Sequence, residues 1–144
     1  MFERCLYFNL NSLTRDVNRI WDEAFGRVGL SPPHAYLMRA VFTEPGITPK
    51  RLATELKLSS STVTRFLDAM AGRGLLERRQ LSKDGRELAI YPTKEGKKIK
   101  HELEKVAATL FQQIRHNMNE AAVESLVLSL REAKAALKQA PESA

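Results

Sequence analysis

The residues of this sequence best suited to chemistry are hydroxyls and cations, and they gather in two short stretches. "SSTVTR", residues 60–65, offers Ser60, Ser61, Thr62, Thr64 and Arg65, and "SKDGR", residues 82–86, offers Lys83, Asp84 and Arg86. Small hydroxyls near the start of a helix reach phosphate oxygens or base edges without steric cost. The helix dipole favours an anion at that end. A guanidinium such as that of Arg65 or Arg86 is planar and always charged. Together these groups suit a polyanion. Other reactive types are scattered: His34, His101 and His116 share no metal-ligand spacing such as HExxH. No GxSxG elbow, GxxxxGK[ST] phosphate loop or dinucleotide fingerprint occurs. Cys5 has no evident partner base. Catalysis is therefore not expected, and neither a metal nor another cofactor is implied.

The first stretch needs a helix and the second a turn. Thr48-Pro49 opens a short helix, "TPKRLATEL", by a cap followed by proline at the first helical position. After the tight link "KLS", Ser59 or Ser60 caps the helix "SSTVTRFLDAMAGRG". Its Val63, Phe66, Leu67 and Met70 fall on one face, while Ser60, Ser61, Thr64, Arg65 and Asp68 fall on the other. Gly72 and Gly74 end it. "LLERRQ" and "ELAIYP" then read as two short strands around "SKDG", in which Asp-Gly is a strong hairpin-turn signal. A short capped helix, a tight turn, a second helix and a β-hairpin make a winged helix-turn-helix, whose second helix lies in a DNA major groove.

The remaining segments are helical by pattern. Leu6, Leu10, Leu13, Val17, Ile20 and Ala24 form a narrow apolar seam over residues 3–25, widened by Trp21 and Phe25. Ser31 and Pro32 start a helix to about residue 43, which "EPG" stops. Thr93 caps a long helix from 94 to 116, and Asn119 starts a last one to 138. "APESA", 140–144, is expected to fray. The expected fold is mainly α with a small β-hairpin wing, flanked by N- and C-terminal helices, in segments 1–46, 47–92 and 93–144.

The chain has 144 residues, a formal charge of +6 and a single cysteine. Residues 47–100 carry thirteen Lys/Arg against six Asp/Glu, a net +7, whereas the rest of the chain carries ten against eleven, a net −1. The positive excess thus coincides with the two reactive stretches, as a polyanion binder requires. There is no apolar run of membrane-spanning length, and "MFERCLYFNLNS" lacks the apolar core of a signal peptide. A lone cysteine suits a reducing cytoplasm.

The stretch "LATELKLSSSTVTRFLDAMAGRGLLERRQLSKDGRELAIYPTKEGKKI" resembles the MarR (multiple antibiotic resistance regulator) family, and the flanking helices match that family's layout. The family's most specific motif is an Asp-x-Arg wing tip followed by a strand, Leu-Thr-x-x-Gly and a long helix. It stands here as "DGRELAIYPTKEG", Asp84 to Gly96, with Pro92 in place of the usual Leu. That departure is expected to alter the strand exit rather than the tip. The resemblance implies a homodimeric, DNA-binding transcriptional regulator, most often a repressor, acting on a palindromic operator. Arg86 would enter the minor groove, oriented by an ion pair to Asp84. Ser60, Ser61, Thr62, Thr64 and Arg65 would face the major groove, and Lys83 would contact a phosphate. The N- and C-terminal helices would pair two subunits. A small aromatic or anionic effector would lie near Trp21, His34, Tyr36, Met38 and Arg39. One branch of the family senses hydroperoxides with an N-terminal cysteine, which makes Cys5 a candidate redox site. Its ungapped alignment puts that cysteine on Tyr7, and the plainer reading of Cys5 is a small, partly buried apolar residue. Arg78 and Arg79 stay open between phosphate contacts and surface charge. The alternative for the whole chain is a winged helix that binds protein without reading DNA.

Overall fold

The computed structural model describes residues 1–139, so "APESA" lies outside the described residues. Six helices and one hairpin follow in order: α1 (Leu6–Gly26), α2 (Pro32–Thr43), α3 (Pro49–Leu56), α4 (Ser60–Gly72), β1 (Leu76–Gln80), β2 (Leu88–Pro92), α5 (Lys94–Met118) and α6 (Glu120–Leu137). This is the expected class, a mainly helical winged helix. Residues 1–107 form one compact unit, and a second begins at Ala108, part-way along α5.

The first unit is built on caps that the sequence announces. Thr48 accepts a hydrogen bond from the Arg51 amide at 3.2 Å, and Ser59 accepts one from Thr62 at 3.2 Å. Each satisfies an amide that the first helical turn cannot bond internally. Ser31 occupies the N-cap of α2 without a side-chain bond, leaving the entry to the prolines. At the far end of α4, Gly74 adopts φ +71° and the Leu75 amide reaches back to the Met70 carbonyl at 3.0 Å. That closure turns the chain directly into β1.

Ala35, Leu37, Met38 and Val41 of α2 form the centre of the core, with Leu52 of α3 and Val63, Leu67 and Met70 of α4 around them. The wing is rooted in the same core through Leu76 and Ile90. β1 and β2 pair antiparallel, with Leu76 opposite Pro92, Arg78 opposite Ile90 and Gln80 opposite Leu88. Ile47, just before α3, adds an isolated bridge to Ile90: the Ile90 amide donates to the Ile47 carbonyl at 2.9 Å. Pro92 is the last residue of β2, so its missing amide costs no ladder bond, and the next amide, Thr93, donates to the Leu75 carbonyl at 3.1 Å.

Thr93 joins three elements. Its hydroxyl donates to the Gly74 carbonyl at 2.5 Å and accepts from the Gly96 amide at 3.0 Å, capping α5 against the α4–β1 joint. A Cβ on Gly96 would lie 1.9 Å from the Leu75 carbonyl oxygen, so only glycine allows this approach.

In the second unit, Asn119 caps α6 by accepting from the Ala122 amide at 2.9 Å, in a strained backbone conformation with φ 58° and ψ 159°. No residue of α6 is buried, and Val127, Leu128, Leu130 and Leu137 are exposed. In the first unit the seam of α1 is similarly open: Leu6, Leu10, Leu13 and Val17 are exposed, and burial is complete only at Phe25.

Candidate nucleic-acid interface

The two reactive stretches stand on the basic segment as one helix face and one hairpin tip. On α4, Val63, Leu67 and Met70 turn inward and the opposite face is exposed at Ser60, Ser61, Thr64 and Arg65. The hydroxyls are ordered by local bonds. Ser59 bonds Thr62 at 2.9 Å and Ser61 at 3.2 Å, and Thr64 donates to the Ser60 carbonyl at 3.0 Å. Hydroxyls so tied keep acceptor lone pairs and a fixed position while losing little entropy to a further contact. No hydrogen-bond or ion-pair partner for Arg65 occurs among the described residues, and the guanidinium faces solvent.

The wing tip is longer than a two-residue hairpin. The last ladder pair is Gln80 with Leu88, the Leu81 amide bonds the Glu87 carbonyl at 2.8 Å, and a β-turn runs from Ser82 to Gly85. Gly85, the last residue of that turn, has φ +70°, which explains the Asp-Gly signal. Asp84 organises this loop. One carboxylate oxygen accepts from the Ser82 hydroxyl at 2.5 Å and from the Arg86 amide at 3.2 Å. The Ser82 hydrogen bond, then that of the Arg86 amide, holds the carboxyl below its usual range. The other oxygen lies 3.7 Å from the Arg86 guanidinium. Arg86 itself is 86% exposed, and no partner for Lys83 occurs among the described residues.

Arg78 and Arg79 both have partners within the chain. Arg78 reaches Asp68 of α4 at 2.5 Å. Arg79 pairs with Glu77 at 2.5 Å and lies 4.1 Å over the Tyr91 ring on the other face of the hairpin. Sequence reasoning missed the Arg78–Asp68 pair and the Ile47–Ile90 bridge. Strand alternation places Arg78 on the same face as buried Leu76, which is the one signal that pointed to an internal partner.

A model of the MarR family matches residues 30–88. The transcriptional regulator MgrA of Staphylococcus aureus is 30% identical over 99 residues, covering 68% of this chain and 67% of MgrA. The chain belongs to the MarR family. Solved structures agree in fold. The PcaV transcriptional regulator from Streptomyces coelicolor, in complex with its natural ligand, superposes with a TM-score of 0.82 at 20% identity, covering 95% of this chain and 96% of PcaV. The MepR–DNA complex of S. aureus gives 0.81 at 15% identity, covering 93% of this chain and 99% of MepR. The protein is thus a MarR-family, winged-helix transcriptional regulator.

The residues that the family resemblance assigned to an effector divide into two groups. Trp21 donates to the Tyr36 hydroxyl at 3.1 Å, and Arg39 lies 5.7 Å over the Tyr36 ring while bonding both oxygens of Glu104 at 3.1 and 3.2 Å. Tyr36 lines a cleft of 570 Å³ bounded by Asp22, Pro32, Glu55 and Leu56, and with Arg39, Lys100 and Glu104 it lines a second of 370 Å³. Trp21, Met38 and His34 line neither cleft, though Trp21 reaches them through its bond to Tyr36. Met38 is fully buried in the core beside Leu37. His34 meets the Phe66 ring edge-on at 4.7 Å, and burial, then the nearby Arg73 charge, lowers its pKa. Cys5 is exposed, which corrects the expectation of partial burial. It stands at the N-cap of α1, and its carbonyl accepts from the Asn9 side chain at 2.8 Å. No group of three or more His, Cys, Asp or Glu among the described residues could hold a metal ion, and no described helix is long and apolar enough to cross a membrane.

Proposed function

We propose that the protein works in the cytoplasm as a homodimeric repressor on a palindromic operator in double-stranded DNA. The observation that carries this reading is the pair of cationic groups without a partner among the described residues on the α4 face and the wing tip, Arg65 and Lys83, beside an Arg86 paired there with Asp84 of its own turn. Ser60, Ser61, Thr62, Thr64 and Arg65 meet the major groove and its phosphates. Arg86, steadied by Asp84, enters the minor groove, and Lys83 neutralises a phosphate. Segment 47–92 reads the DNA. Segments 1–46 and 93–144 pair the subunits through the exposed apolar residues of α1 and α6, setting two α4 helices about one DNA turn apart.

Release follows from a small aromatic or anionic effector bound against Trp21, Tyr36 and Arg39. The ligand-bound state of PcaV and the DNA-bound state of MepR support the two halves of this cycle by likeness of fold. An oxidant acting at exposed Cys5 is the second trigger. The test is a gel shift on the DNA upstream of the protein's own gene, with and without phenolic acids and peroxide. Binding that phenolics or peroxide relieve supports the cycle, provided Cys5→Ser abolishes the peroxide effect alone. An Arg86→Ala variant of unchanged affinity overturns the wing assignment.

A further inference from the structure

We infer that Asp68 and Arg78 form the device that aims the wing relative to α4, so that Arg86 and Arg65 engage one DNA duplex together. The inference rests on the DNA reading above and adds two positioning residues to it. β1 alternates its faces: Leu76 and Arg78 point to the core side, Glu77 and Arg79 away from it. Arg78 stands opposite Ile90 at the upper edge of the core, where a guanidinium needs a counter-charge. Asp68 supplies it from α4 at 2.5 Å, with the Arg78 side chain 31% exposed. Among the described residues this is the one side-chain hydrogen bond or ion pair that joins α4 to the hairpin.

Leverage makes the contact matter. A two-stranded hairpin is not stable in isolation, so its direction is set where it is tied down. The root is fixed by Leu76, by the Ile47–Ile90 bridge and by Thr93. From the level of Arg78 and Ile90, where the bridge to Ile47 also lies, the hairpin extends about 16 Å to the turn at the rise of a β-strand. A 10° swing about the root then moves the tip by about 3 Å, enough to break a hydrogen bond. The Ile47 bridge holds β2 and the Arg78–Asp68 pair holds β1 to α4, so the two contacts tie opposite strands of the hairpin. Asp68 is also the one acidic residue of α4, so its pairing keeps a lone carboxylate from repelling phosphate.

The test separates aiming from stability and from the DNA reading itself. The probe is a duplex selected from a random-sequence pool by the wild-type protein, with affinity read by fluorescence anisotropy. Arg86→Ala and Arg65→Ala are each measured alone and in an Asp68→Asn background, with Arg78→Met as a second way of breaking the pair. Asp68→Asn changes one exposed atom, and melting temperature checks that the fold is kept. The expected result is that Arg86→Ala weakens binding about tenfold or more on the intact pair but less than about twofold once it is broken. Arg65→Ala should cost the same in both. An Arg86→Ala effect that is equal in all backgrounds overturns the aiming role alone. An Arg86→Ala protein that binds like wild type overturns the aiming role and the DNA assignment of the wing together.

Discussion

Arg86 reaches solvent from a turn whose geometry does not need it. The turn is made by Ser82, Asp84 and Gly85, and the Arg86 guanidinium adds one long ion pair at 3.7 Å. Arg86→Ala should therefore leave the melting temperature within about 1 °C, since surface changes away from special features cost little, while lowering DNA affinity at least about tenfold. Thermal unfolding and anisotropy on the same preparation check both halves. His34 gives a prediction in pH. Its pKa is lowered in the folded state, so below about 6.5, the value of an unperturbed histidine, the unfolded chain binds the extra proton. The stability it contributes is fully present above that pH and is lost as pH falls through the depressed folded value. Urea midpoints from pH 7 to 5 should fall less steeply for His34→Gln than for wild type; parallel slopes would show that His34 does not titrate on unfolding. At this scale the sequence was legible where a role follows from local chemistry, as for Asp84 in its turn or Ser59 at its cap. It was opaque for Arg78, whose partner is fixed only when the chain reverses at Gly74, and for Met38, whose burial depends on what packs over α2.

Elements were more readable than contacts. Helix starts at Thr48, Ser59, Thr93 and Asn119 each show the side-chain cap that the sequence announces. The wing was foreseen as two strands about a short turn, and the seven residues from Leu81 to Glu87 differ because the ladder stops at Gln80 and Leu88. Ile47 was missed because a single bridging residue has no period to detect. The docking of α5 was visible only as a glycine in a motif. Gly→Ala inside a helix normally stabilises by about 0.5–1 kcal/mol. At Gly96 the new methyl would collide with the Leu75 carbonyl, so Gly96→Ala should instead destabilise by about 2–3 kcal/mol. Chemical denaturation gives the sign, and a stabilised variant would mean that α5 does not approach the β1 root this closely.

For the molecule as a whole, charge and apolar surface are divided. The net +7 of residues 47–100 predicts binding that weakens steeply with salt, and Lys83→Ala should reduce the slope of log affinity against log salt by about one unit. Most of the exposed large apolar side chains stand instead on α1 and α6, from Leu6 to Val17 and from Val127 to Leu137, with Leu81 of the wing the exception inside the basic segment. Sedimentation should give a dimer at micromolar concentration, and Leu13→Glu should shift it toward monomer; a wild-type monomer there would remove the subunit-pairing role of these helices. Charge asymmetry was fully readable from the sequence, since counting residues needs no fold. The open seams were readable as stripes but not as exposed, because a stripe looks the same whether its partner lies within the chain or outside it.

The single bridge between Ile47 and Ile90 also fixes an order of events in time. It joins points separated by the whole of α3, α4 and β1, so its closure must wait for a large loop to be organised, whereas the capped helices form from neighbouring residues. That bridge is therefore closed late, whereas the β1–β2 ladder pairs nearby residues. The two-stranded wing should also open in partial unfolding ahead of the helical core. On warming, the hairpin amides should exchange with solvent before those of α2 and α4. The molecule would then lose its grip on DNA while most of its core is still folded.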